Sequence, residues 1–181
     1  MKKNKKLISI VTPVFNEEKN VYECYSRTKK IFDSKLSQYD FEHLFCDNNS
    51  TDNTLSILKK IAKDDKRVKL IVHSRNFGVL KSMFNGVVNT KGDATLLFLP
   101  ADLQDPIEIL PDFVKKWKQG VDIVYGIRKT RSENFGLSIL RKIYYRILSK
   151  VTYVNYPPDV GDFQLVDRKI VNLIKNVNDF R

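Results

Sequence analysis

The chain has 181 residues, enough for one domain with a substantial buried core. A hydrophobic share of 42% with 29% charged residues excludes a disordered chain, and no apolar run approaches the roughly 20 residues that cross a bilayer. The formal net charge of +11 favours polyanionic partners: nucleic acid, anionic lipid headgroups or phosphorylated substrates.

Met1 to Lys6 is basic, and the apolar run after it has no small-residue cleavage site, which argues against a signal peptide. Leu7 to Val14 then reads as a buried parallel strand closed by a turn at Asn16. Val21, Tyr25, Thr28 and Phe32 recur at helical spacing. Phe41 to Cys46 is a second strand. A second helix carries Leu55, Leu58 and Ile61, with Ser50, Thr51 and Asp52 offering cap oxygens at its start.

Val68 to Val72 is a third strand. A loop at Ser74–Gly78 and a helix through Met83 and Val87 follow. Thr95 to Leu99 is a fourth strand. Pro106 stands where a helix can begin, running past Trp117 to Gly120. Val121 to Tyr125 is a fifth strand. Cys24 and Cys46 form no zinc pattern and read as buried free thiols, which suits the cytoplasm.

Residues 134–151 place Leu140, Ile143, Tyr144, Ile147, Leu148 and Val151 on one helical face and basic residues around it. Two readings stand: an amphipathic helix packed on the sheet, or a basic interfacial helix resting on anionic lipid. Nucleic acid ranks low, because no zinc-finger spacing, RNP1-like motif or helix-turn-helix pattern is present.

The alternation of strand and helix predicts an α/β domain with a mostly parallel sheet and helices on both faces. Such sheets bind ligands at the carboxyl ends of their strands. Polar residues collect there: Asn16 and Glu17, then Asp47, Asn48 and Asn49, Arg75, the group Asp102, Gln104 and Asp105, and Arg128. If residues 102–104 are extended, Asp102 and Gln104 share a face and offer hard oxygens to Mg²⁺ or Mn²⁺. The competing reading is a turn before a helix led by proline.

Six segments occur in order: Thr12–Glu18, Asp47–Asp52, Arg75–Gly78, Ala101–Pro106, Tyr125–Arg128 and Gly161–Leu165. Together they resemble a family 2 glycosyltransferase of the Rossmann-like GT-A fold, in the branch of dolichol-phosphate mannose synthase and the bacterial polyprenyl-phosphate glycosyltransferases. The resemblance spans nearly the whole chain, 1–181, as a single catalytic domain. It implies transfer, with inversion, from a nucleotide-diphosphate sugar to undecaprenyl or dolichyl phosphate. It also places the protein in the cell envelope, peripheral at the inner face of the membrane, with an oligomer compatible with it. Members continue into further helices and often membrane-spanning segments, so the chain reads as truncated after Arg181.

The resemblance assigns Pro13, Phe15 and Glu17 to the base and ribose, Asp47 to the base, and Arg75 to the same pocket. Ala101 and Asp102 would meet the nucleotide, Asp102 and Gln104 the metal, Arg128 the phosphates and Arg131 the acceptor. Asp162 is the base candidate if the acceptor is a glycan hydroxyl instead; the competing reading is a loop carboxylate before a strand. Two departures stand out. Pro100 replaces an Asp of the paired carboxylate motif, which keeps open a non-catalytic nucleotide-sugar or lipid-binding module. Asn48 and Asn49 replace Asp-Gly; asparagine tolerates positive φ, so the turn survives.

Overall fold

The computed structural model describes residues 5–127 and 160–176. Contacts divide the chain into two compact units, Met1–Val124 with Phe163–Arg181, and Tyr125–Asp162. The second contributes to the described residues only the end of one strand and the start of another. The helix expected over 134–151, with Arg128 and Arg131, lies outside the described residues.

The elements run β1 (Leu7–Val14), α1 (Val21–Ser34), β2 (Asp40–Asp47), α2 (Thr54–Asp64), β3 (Val68–Val72), α3 (Val79–Val88), β4 (Ala94–Leu96), a 3₁₀ turn (Ile107–Ile109), α4 (Leu110–Lys118), β5 (Ile123–Ile127), β6 (Val160–Asp167) and α5 (Arg168–Lys175). The six-stranded sheet has the order β3-β2-β1-β4-β6-β5. β1 pairs in parallel with β2 and β4, and β2 with β3, while β6 runs antiparallel to β4.

Side chains on β1 alternate between two layers. Ile8, Ile10 and Val14 join the layer built by α1, α2 and α4, with Cys24, Phe32, Leu58 and Trp117. Val11 joins the other, with Val87 of α3 and Val171 of α5. A strand buried on both sides is apolar at nearly every position, which is why Leu7–Val14 reads as a near-continuous run rather than an alternation, with the small hydroxyls of Ser9 and Thr12 buried and hydrogen-bonded.

Close approach of α3 to the sheet depends on Gly86. A Cβ at that position would stand 2.7 Å from Cys46 Sγ and nearer still to Val11 Cγ1. At the opposite end of the strands, buried Glu42 accepts from Ser9 Oγ and from the Lys91 amide, both at 2.6 Å. Burial thus leaves this carboxylate paired rather than bare.

Three local expectations change. β4 is shorter than Thr95–Leu99, because past Leu96 the chain exchanges strand pairing for single bonds, Leu97 N to Gln164 O and Leu99 N to Val11 O, both 2.9 Å. The helix towards Trp117 begins at Leu110, and Pro111 rather than Pro106 occupies its first turn. Asp162 belongs to β6 and is exposed there, rather than lying in a loop ahead of the strand.

Among the described residues, no helix is long and apolar enough to cross a membrane.

Candidate active site

The carboxyl ends of β1 and β2 meet because the two strands pair in register to their last residues, Val14 opposite Asp47. The loops that follow are stitched together. Asn16 takes a left-handed φ of 56° and accepts from the Thr51 amide at 2.8 Å, while its own amide donates to Ser50 Oγ at 3.0 Å. The Glu17 amide donates to Thr54 Oγ1 at 2.7 Å, and Glu18 accepts from the Asn53 amide at 3.0 Å. The hydroxyls expected to cap α2 therefore hold the neighbouring loop. No side chain of the cap residue Asn53 closes that helix, and Asp52 Oδ1 accepts from Thr54 N at 2.9 Å instead.

Beside this double loop lies a cleft of about 330 Å³. Its walls include Pro13, Phe15 and Glu17 from the end of β1, Asn48 from the end of β2, and Pro100, Ala101 and Asp102 from beyond β4. Phe15 remains 43% exposed, an open aromatic face on the cleft. Glu17 is held by Asn20, whose amide donates to Oε2 at 2.7 Å.

Asp47, the residue before Asn48, is only 1% exposed. Its Oδ2 accepts from the Ser50 amide at 3.2 Å, and its Oδ1 is buried without a partner among the described residues. A bare buried carboxylate oxygen is costly unless a donor arrives to meet it. Asp47 itself is not part of the cleft wall.

Asp102 is exposed on the cleft wall and lies in a turn, not an extended segment. The Leu103 amide donates to Pro100 O at 3.1 Å, and Leu103 takes φ 56°. The alternation that was to place Asp102 and Gln104 on one face is therefore absent. Gln104 is exposed outside the cleft wall, and its amide donates to Asp102 Oδ1 at 3.2 Å. Asp105 is buried.

One exposed carboxylate suits Mg²⁺ or Mn²⁺ only as a partial site, completed by water and substrate phosphate. Among the described residues, no group of three His, Cys, Asp or Glu side chains converges to hold an ion alone.

Arg75 is exposed, with its guanidinium over the Phe77 ring at 4.6 Å, and does not line the cleft. Asn76, from the Arg75–Gly78 segment, does line it, as do Val79 and Phe98, whose spacing in the sequence carries no chemical signature.

The pattern of glycosyl transferase family 2 matches residues 9–174, which include every described part of this cleft. The chain belongs to glycosyl transferase family 2. It is 38% identical over 172 residues to the uncharacterised glycosyltransferase YkcC of Bacillus subtilis, covering 94% of this chain and 52% of that one. To the bactoprenol glucosyl transferase of Shigella phage SfX it is 36% identical over 171 residues, covering 93% and 54%. This family 2 chain thus spans about half the length of the curated relatives it matches.

Its GT-A fold is shared with the mannosyltransferase PcManGT from Pyrobaculum calidifontis, solved with GDP-Man and Mn²⁺. The TM-score is 0.63 at 16% identity, over 95% of this chain and 47% of the other.

Proposed function

We propose that this family 2 domain binds a nucleoside-diphosphate sugar in the cleft and transfers the sugar, with inversion, to a polyprenyl phosphate. The bare Oδ1 of Asp47 carries the reading. It is an acceptor waiting for a ring N–H, one residue behind an aromatic-walled cleft. Phe15 and Pro13 then flank the base and ribose, Glu17 lies beside them, and Ala101 and Asp102 meet the diphosphate. The relative named a bactoprenol glucosyl transferase supports the lipid acceptor.

A lipid phosphate is already anionic, so an oxygen of it attacks the anomeric carbon without a general base. The bond from that carbon to the diphosphate oxygen breaks on the opposite face. The chain's work is positioning and electrostatics. Asp102 is the residue to hold Mg²⁺ or Mn²⁺, with Gln104 beside it. When bound, the ion neutralises charge on the departing diphosphate. Arg128 and Arg131 keep their roles towards phosphate and acceptor in this proposal, and Arg75 stays at the rim. The basic balance favours an anionic membrane surface at the inner leaflet.

The test is incubation of the purified chain with undecaprenyl phosphate, Mn²⁺ and radiolabelled nucleoside-diphosphate sugars. Labelled glycolipid is expected, and Asp47→Asn lowers donor affinity about tenfold, the cost of losing a charged acceptor. Asp162→Asn leaves transfer to a phosphate intact. Transfer only to a soluble sugar, abolished by that substitution, would overturn the lipid-phosphate acceptor in favour of a glycan hydroxyl.

A further inference from the structure

Ser74 to Lys81 joins β3 to the first turn of α3, and every residue in it is exposed, a longer exposed run than any other among the described residues. Three of its side chains are large and apolar. Phe77 is 39% exposed, Val79 50% and Leu80 65%. Such side chains are ordinary when scattered, but these share a span of four residues. The buried side of α3 is formed by Ser82, Gly86 and Val87, so Leu80 is not needed to seat the helix on the sheet.

The segment is held from within and from behind. Gly78 takes φ 84°, and its amide donates to Asn76 Oδ1 at 2.8 Å, so the turn closes on its own atoms. The Phe77 ring meets the ring of His73 edge-on, with 5.7 Å between centroids. His73 is buried, and its amide donates to Asp47 O at 2.9 Å.

Charge selects the partner. From Val68 to Gly92 the sequence holds Lys69, Arg75, Lys81 and Lys91 and no Asp or Glu. Arg75 and Lys81 bracket the three apolar side chains, and neither forms an ion pair among the described residues. Apolar groups flanked by unpaired cations suit an anionic bilayer, where the former enter the boundary of the acyl chains and the latter meet lipid phosphates. A second copy docking by the same face would set these cations against their own kind.

We infer that Ser74–Lys81 is a membrane-contact segment, with Phe77, Val79 and Leu80 entering the headgroup layer of an anionic bilayer and Arg75 and Lys81 meeting its phosphates. Asn76, Gly78 and Val79 also line the cleft, so the segment that meets lipid is a wall of the site. A polyprenyl phosphate then reaches the cleft by moving along the bilayer surface, without crossing water. The purpose of the contact rests on the lipid-acceptor reading above, but the contact is measurable without turnover.

The test is cosedimentation of the full chain with vesicles of phosphatidylcholine, alone or with phosphatidylglycerol added. Wild type is expected on the anionic vesicles. Lys81→Gln is expected to weaken partition about fivefold, one cation's worth near such a surface. Leu80→Glu is expected to weaken it about tenfold or more. Neither residue lines the cleft, so nucleotide affinity reports that both variants are folded. Lys59→Gln, on the exposed side of α2, removes the same charge and is expected to change partition little. The chain has one tryptophan, Trp117, which is buried. Leu80→Trp adds one that brominated lipid is expected to quench, while Trp117 stays bright.

Equal partition of wild type and Leu80→Glu, with Leu80→Trp unquenched, would overturn the assignment of this face. Self-association abolished by Leu80→Glu, without vesicle binding, would give the face to a second copy and overturn it too. Glycolipid made from detergent-dispersed undecaprenyl phosphate without any vesicle binding would overturn the membrane contact and leave the acceptor reading standing. Vesicle binding that Leu80→Glu weakens, without glycolipid, would support the contact and overturn the acceptor reading.

Discussion

Thr51 and Asn16 join the loops after β1 and β2, the Thr51 amide donating to Asn16 Oδ1 at 2.8 Å. Asn16 also holds a φ of 56°, which a short polar side chain tolerates and alanine does not. Asn16→Ala loses both and is expected to cost about 1–2 kcal/mol of stability. Asn16→Gly relieves the backbone but not the lost acceptor. Denaturant midpoints should rank wild type above Gly, and Gly above Ala. Equal midpoints would mean the stitch contributes nothing.

Gly86→Ala sets two effects against each other. Helix propensity favours alanine by about 1 kcal/mol. The added methyl would collide with Val11 and Cys46, both fully buried, and overpacking of that kind costs about 1–3 kcal/mol. The clash is against a β-branched side chain on a central strand, so a net loss is expected in thermal unfolding. Val11→Ala in the same chain should recover part of it. A stabilised Gly86→Ala protein would rule out so close an approach of α3.

His43 is fully buried on β2, with Nε2 2.8 Å from Thr12 Oγ1, and burial pushes its pKa down to about 3. The unfolded chain protonates it near 6.5. Stability is therefore complete above about pH 6.5 and falls by about 1.4 kcal/mol for each unit below, towards the folded value. The paired carboxylates Asp65 and Glu108, held low by Arg67 and Arg27, act in a separate window below the ordinary carboxylate range. His43→Gln keeps a partner for Thr12 and does not titrate. Its melting temperature should change less than that of wild type between about pH 5 and 7.

Pro100 lines the cleft without offering a ligand, one residue from Ala101 and two from Asp102. Pro100→Asp restores a second carboxylate there. In the presence of a nucleoside diphosphate it should tighten Mn²⁺ binding about tenfold, since affinity for hard cations follows ligand charge. Asp102→Asn should abolish the metal's effect on nucleotide affinity. If Asp102→Asn leaves that effect unchanged, the ion is held elsewhere.

Much of this architecture was legible in the residues. Leu7–Val14 had to be a central strand because its only polar side chains are the small hydroxyls of Ser9 and Thr12, and its neighbours followed from the switches in period. What was lost was local geometry. The stretch from Pro100 to Leu103 reads equally well as an extended strand end or a turn, and only the positive φ of Leu103 decides it. Ser50 and Thr51 carry the signature of a helix cap, yet the register of β1 against β2 brings Asn16 within reach of them. His73 gave no signal, because its buried ring meets Asn48 and Asn85, each at 3.0 Å, only once the β2–β3 pairing and α3 bring them together from distant parts of the chain.

The tight seat of Gly86 also makes Cys46 a reporter. Its thiol is fully buried, and desolvation raises its pKa to about 12, so almost none is thiolate at neutral pH. A thiol-reactive dye reaches that sulfur only when the layer formed by α3 lifts from the strands. The rate of dye incorporation at Cys46 therefore measures how often this layer opens, and slower incorporation with nucleotide present would measure how firmly the ligand holds it shut.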